Sequence, residues 1–197
     1  NGKDKIGIVV GDVTDHGISS ALLMTTARAF LRERIQTPPT ACAAIISDVN
    51  KRLVQDVEQL NLFMTMFYCE LDTKEKSIRW VKAGHEPAIL WTPTAADSPE
   101  LLSGEGLPLG VMEDAAYKEY QKLISSGQII LIGTDGIKEA VNDSGEMFGT
   151  QRLLQVINNM ADQPAVAILD AVFDSLDRFC QPLKIDDDAT LVIIKVL

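Results

Sequence analysis

Short continuous apolar runs alternate along this chain with longer stretches in which apolar residues recur every three or four positions. Residues 6–10 form the first run, too evenly apolar for a half-exposed strand, so the pattern predicts a strand central in a sheet that ends at the Gly11-Asp12 turn. Residues 17–35 take helical spacing, with Leu23, Ala27, Phe30, Leu31 and Ile35 on one side and Ile18, Ala21 and Leu22 as a second set. The first half of that helix is therefore expected to be buried nearly all round, and Pro38-Pro39 to end it. Thr40 is the expected N-cap of a second helix over 40–57, whose single stripe is Cys42, Ile45, Ile46, Val49 and Leu53, and the two helices are expected to pack as a pair.

Beyond residue 62 the period changes. Residues 63–71 and 77–83 are rich in aromatic and β-branched side chains and flank a turn at 72–76, which predicts a strand pair; residues 88–91 predict another short strand. Residues 93–99 and 103–110 are rich in Gly, Pro, Ser and Thr and predict loops. Residues 117–124 and 128–132, joined through Ser125-Ser126-Gly127, predict a hairpin. Two helices follow, over 151–158 and 164–179, the second with a stripe of Leu169, Val172, Phe173, Leu176 and Phe179; residues 189–196 predict the closing strand. Hairpins together with paired helices predict an α+β fold, a four-layer α/β/β/α sandwich of mostly antiparallel sheets flanked by helix pairs.

Composition narrows this picture in three ways. The 197 residues with 46% hydrophobic content suffice for one domain with a substantial core, expected over 1–197. The formal net charge of −10, without a basic stripe, argues against a nucleic-acid partner. Three widely spaced cysteines, Cys42, Cys69 and Cys180, suggest neither a disulfide framework nor a zinc site, and fit a cytoplasmic protein. No apolar run is long enough to span a bilayer, so no membrane contact by this domain is expected.

The chemistry lies at the strand ends. Gly11-Asp12-Val13, Thr134-Asp135-Gly136 and Asp186-Asp187-Asp188-Ala189-Thr190 are acidic turns far apart in sequence, each bordering an apolar run. A single Asp beside Gly is ordinarily a turn former. Three of them at strand ends suggest one cleft in which Asp12, Asp135 and Asp187 lie on the order of 5–8 Å apart, an oxygen-rich set suited to Mg2+ or Mn2+.

These turns, with Ala21-Leu22-Leu23-Met24, Phe63-Met64-Thr65, Ala83-Gly84-His85-Glu86-Pro87, Leu107-Pro108-Leu109-Gly110 and Phe148-Gly149 in the same order, resemble the type 2C metal-dependent serine/threonine phosphatases. The match is closest to the bacterial sporulation and stress-response branch, which acts on anti-sigma-factor antagonists. The resemblance implies that Asp12 bridges two Mn2+ or Mg2+ ions, that Val13 contributes its carbonyl, and that Asp135 and Asp187 hold the second ion. It further implies attack by a metal-generated hydroxide on phosphoserine or phosphothreonine of a regulatory protein. Upstream sensor or receiver domains are common in the family, and a homodimer is left open.

Two departures stand out. Asp15 occupies a turn position where the bacterial branch usually has Gly, and the family's upstream Gly-Asp motif does not precede Asp12, so the chain is expected to lack the domain's N-terminal strand pair. His16 is a candidate general acid, but it lies four residues after Asp12, farther than in the family's eukaryotic branch, and a role in the turn competes; His85 is a weaker candidate still. The alternative reading is a catalytically silent phosphatase-like module that binds a regulatory partner. A nucleotide-binding enzyme of another fold is disfavoured, because no GxxxxGK[ST] loop is present.

Overall fold

The computed structural model describes residues 4–37, 41–57, 62–93, 99–183 and 188–197. In chain order the elements are β1 (Lys5–Val13), α1 (Ile18–Arg34), α2 (Cys42–Val57), β2 (Met64–Asp72), β3 (Ser77–Ala83) and β4 (Ala88–Trp91). They continue with β5 (Glu100–Leu102), β6 (Tyr120–Leu123), β7 (Ile129–Gly133), α3 (Gly149–Asn159), α4 (Ala165–Cys180) and β8 (Leu191–Lys195). The class is α+β, with two antiparallel four-stranded sheets and two helix pairs, divided between two compact units.

The first unit comprises residues 1–87 and 103–124. Its sheet has the order β1-β2-β3-β6. The stripe Cys42, Ile45, Ile46, Val49 and Leu53 of α2 is fully buried, as its spacing predicts, and packs with Leu23, Ala27 and Leu31 of α1 against Met64, Met66, Tyr68, Val81 and Ala83 of the sheet. Ion pairs join the helices: Arg34 Nε donates to Asp48 Oδ2 at 2.5 Å and Arg52 to Glu33 Oε2 at 2.7 Å. The expected caps and breakers Thr40, Pro38 and Pro39 lie outside the described residues. At the start of α2, Glu119 accepts a hydrogen bond from the Cys42 backbone N–H, while Arg79 pairs with both Glu119 and Glu70. A carboxylate 77 positions away thus satisfies one of the helix's orphan donors.

Two expectations for this unit need correction. β1 is not central: it pairs only with β2 among the described residues and lies at the sheet edge, with Ile6 and Val9 exposed. On its helix-facing side Gly7 and Gly11 carry no side chain, leaving a cavity of about 320 Å³ that is also bordered by Met24, Arg28 and Met66. Nor is the first half of α1 buried all round, since Ile18 and Leu22 are 82% and 63% exposed. The apolar period was real, but one helix face packs on α2 and the sheet while the second set faces away from both.

The second unit comprises residues 88–102 and 125–197, with strand order β5-β4-β7-β8. Ile129 and Leu131 of β7 pack with Leu153 and Ile157 of α3 and with Ile168, Val172, Leu176 and Cys180 of α4. Val172 and Leu176 of the predicted stripe are fully buried and Phe173 and Phe179 pack against the same cluster, while Ile168 and Cys180 extend the buried line beyond the prediction. At the end of α3, Lys195 Nζ donates to the carbonyls of Ala161 and Gln163 at 2.6 and 2.9 Å.

The predicted hairpin of 117–124 with 128–132 does not form. β6 pairs with β3, whereas β7 pairs with β4 and β8, so Ser125-Ser126-Gly127 links two different sheets. Neighbouring backbone groups show why: the Ile124 N–H goes to Lys76 O, and the Gly127 N–H to Val196 O. No helix among the described residues is long and apolar enough to cross a membrane.

Leu53 and Leu22 have contrasting surroundings that stability measurements resolve. Leu53→Ala empties a fully buried site and is expected to cost about 2–5 kcal/mol in urea-induced unfolding. Leu22→Ala, on the exposed face of α1, is expected to stay within about 0.5 kcal/mol of the parent.

Candidate functional site

Asp12 is the penultimate residue of β1 and is directly opposite Thr65 of β2. The Thr14 N–H bonds to Phe63 O at 3.0 Å, so Thr14 and Asp12 occupy hydrogen-bonded positions of the antiparallel ladder and Val13 a non-hydrogen-bonded one. Consistently, Met64, opposite Val13, spends both its backbone groups on Leu109, at 2.9 and 2.8 Å. The Val13 carbonyl therefore points away from β2, toward the open side of the edge strand. An exposed carboxylate and an outward carbonyl thus occur on successive residues, a pairing that suits a hard cation.

The chain is turned sharply just beyond. The Thr14 hydroxyl donates to Phe63 O and accepts from the Phe63 N–H, both at 3.1 Å, and Ser20 of α1 donates to Thr14 O. Asp15 adopts φ 68°, the left-handed conformation that its departure from Gly required and that Asp tolerates better than most residues. His16 follows it on the exposed connection into α1.

In the second unit, Asp135 opens a 3-10 turn (Asp135–Ile137) directly after β7, and its carbonyl accepts from Lys138 and Glu139. The adjoining Thr134 is buried and works as a clasp. Its hydroxyl donates to Asp188 O at 2.9 Å and accepts from the Thr190 N–H at 3.0 Å, while its own N–H bonds to Thr190 O at 3.1 Å. Gly136 completes the fit: a Cβ there would stand 2.7 Å from Asp188 O, so only glycine allows the close approach.

The structure thus brings the Asp135 turn against residues 188–190, and has Asp12 with Val13 in the other unit. Asp186 and Asp187 lie outside the described residues, and among the described ones no three His, Cys, Asp or Glu side chains form a metal-sized group. His85 is nearly fully buried, with Nδ1 2.8 Å from the Thr65 hydroxyl, which removes it from the surface chemistry considered for it. Thr134 and Thr65 stand inside the quoted motifs, but motif reading gave their hydroxyls no role. Each is a hydroxyl next to, or across from, an acidic strand end, and that placement was the available signal.

The cysteines are excluded as nucleophiles. All three are buried free thiols; burial first, with Glu70 nearby, pushes Cys69 up to about 12, and Cys42 and Cys180 are also raised, mainly by burial. No thiolate is available near neutral pH.

Comparison with known proteins finds relatives along nearly the whole chain. The phosphoserine phosphatase RsbU of Bacillus subtilis (strain 168) is 25% identical over 193 residues, covering 98% of this chain and 56% of RsbU. RsbP, a phosphoserine phosphatase of the same organism, is 24% identical over 195 residues, covering 98% of this chain and 46% of RsbP. The chain therefore spans about half the length of the curated relatives it matches. Among solved structures, the SiaA-PP2C domain of Pseudomonas aeruginosa superposes with a TM-score of 0.84 at 21% identity, over 99% of this chain and 77% of that one, and shares the fold. The signature described as Stage II sporulation protein E (SpoIIE) matches residues 2–197, and the chain accordingly belongs to that family of bacterial type 2C phosphatase domains, in the sporulation and stress-response branch.

Proposed function

We propose that this chain is the catalytic portion of a metal-dependent protein phosphatase that hydrolyses phosphoserine or phosphothreonine on a regulatory protein, of the anti-sigma-factor-antagonist class. The observation that carries the reading is the Thr134 clasp, which seats the Asp135 turn against the segment immediately following Asp187. Asp12, Val13, Asp135 and Asp187 are the proposed ligands of two Mn2+ or Mg2+ ions. The donor chemistry fits, being oxygen only, with no thiol or imidazole in the set.

When bound, such ions lower the pKa of water toward neutrality and neutralise charge on the phosphoryl oxygens. The chain's own part is positional. The β1–β2 ladder holds the Asp12 carboxylate and Val13 carbonyl at one strand end, and the Thr134 clasp holds Asp135 against the Asp188 carbonyl segment. No side-chain nucleophile is needed, in keeping with the protonated, buried cysteines. His16, exposed on the connection from β1 to α1, is assigned a minor role in proton delivery to the leaving alkoxide. The relatives named phosphoserine phosphatases support the substrate class. A cytoplasmic setting is proposed with it, and an upstream sensor or receiver domain is the proposed source of regulation.

Phosphate release from a phosphoserine peptide with Mn2+, measured on the full-length protein, tests the assignment. Asp135→Ala is expected to lower the rate on the order of a thousandfold or more with the fold retained, and His16→Ala to cost distinctly less. Equal losses would make His16 the principal acid, and undiminished turnover in Asp135→Ala would refute the metal assignment. A second expectation concerns the clasp: Thr134→Val leaves the Thr190 N–H without its acceptor and should cost about 1–3 kcal/mol of stability. It should also raise the Mn2+ concentration for half-maximal activity about 10-fold, read from a metal titration of the phosphatase assay.

A further inference from the structure

One buried polar pair in the first unit has no part in the mechanism above. His85 is 4% exposed, and its Nδ1 lies 2.8 Å from the hydroxyl of Thr65. Thr65 is the cross-strand partner of Asp12, and partners in an antiparallel ladder project their side chains from the same face of the sheet. Thr65 therefore lies between the imidazole and the neighbourhood of the Asp12 carboxylate.

The backbone around His85 is held unusually firmly for a loop. Gly84 has φ +68°, and a Cβ at that position would meet Pro108 Cγ at 2.4 Å, so the glycine is locked under the proline ring. Its N–H donates to Gly106 O at 2.8 Å, and it forms a parallel bridge with Met66 of β2. Leu109, next to Pro108, is tied to Met64 by the two hydrogen bonds described above. The imidazole is thereby fixed by contacts on both sides of Thr65 in the strand, at Met64 and Met66. Asp12 is exposed near the end of β1, which pairs only with β2 among the described residues. Its cross-strand neighbour on the same face, Thr65, is held by a hydrogen bond to a buried imidazole, so the side of the carboxylate that Thr65 borders has one fixed shape.

We infer that Thr65 and His85 form a positioning pair that preorganises the Asp12 carboxylate for cation binding, His85 acting through the Thr65 hydroxyl and touching neither metal nor substrate. The inference rests on the reading of Asp12 as a metal ligand. It assigns a role to the buried histidine, while the exposed His16 keeps the proton-transfer role.

Direct Mn2+ binding to the full-length protein, by isothermal titration calorimetry at a temperature where every variant is folded by circular dichroism, tests it without recourse to turnover. Thr65→Val keeps the shape and removes the hydroxyl; His85→Leu removes the ring nitrogen. Each is expected to weaken Mn2+ binding about 10- to 100-fold. The conservative variants Thr65→Ser and His85→Asn, which keep a polar atom at the same place, should return to within about threefold of the parent, a rescue that general loosening of the fold would not produce. The double variant Thr65→Val/His85→Leu should bind no more weakly than the weaker single, because both remove one interaction. Should His85→Leu not fold, Thr65→Val against Thr65→Ser decides the matter alone. Unchanged affinity in Thr65→Val, or additive losses in the double variant, would overturn the inference. Asp12→Asn separates the two levels: if it loses Mn2+ while Thr65→Val does not, only the positioning pair fails. If Asp12→Asn binds Mn2+ like the parent, the ligand assignment fails and this inference with it.

Discussion

Holding acidic turns together in a chain with ten excess negative charges runs against electrostatics, and the fold meets this constraint with neutral hydrogen bonds. The Asp135 turn and the Asp188 segment would repel through their side chains. They are instead joined by the Thr134 hydroxyl and backbone, three hydrogen bonds whose partners carry no charge, in a buried position where such bonds are least exposed to competition from water.

The ion pairs of the first unit include Arg34 with Asp48 and Arg52 with Glu33 between the helices, and Arg79 with Glu70 and Glu119 at the start of α2. The last set is partly buried, caps a helix and secures the loop before β6, so its charge is used structurally. At the β1 end the ladder parity does the positioning, turning the Val13 carbonyl outward on the residue next to Asp12. Function therefore depends on strand register here. A slip of one residue would reverse which carbonyl faces the open edge and move Asp12 to the other face of the sheet.

The mixture of firm and exposed elements in the first unit follows from the same design. The α2 stripe and the sheet residues beneath it are fully buried, while the start of α1 and the outer side of β1 leave Ile18, Leu22, Ile6 and Val9 in contact with solvent. The proposed metal-ligand strand, paired on one side only among the described residues, needs support from below. The locked loop of Gly84, His85 and Pro108 supplies such support next to Thr65.

Much of this was determined by the amino-acid sequence itself. The α2 stripe, the β2–β3 pair, the strand at 88–91, the helices near 151–158 and 164–179, and the acidic turns at strand ends are local patterns, because periodicity reports directly which side of an element is apolar. Periodicity does not report what covers that side. Only the tertiary structure decided that β6 and β7 join different sheets, that β1 is an edge, that the second apolar set of α1 faces outward, and that Ile168 and Cys180 join the buried line of α4. The site divides the same way: Asp12, Val13 and Asp135 were legible as motif residues, whereas the Thr134 clasp, the Glu119 cap and the Thr65–His85 pair were not. Their partners are separated by 54 and 56, by 77 and by 20 positions, and contacts closed across such distances are selected by packing of the whole unit, leaving no signature in the neighbouring sequence.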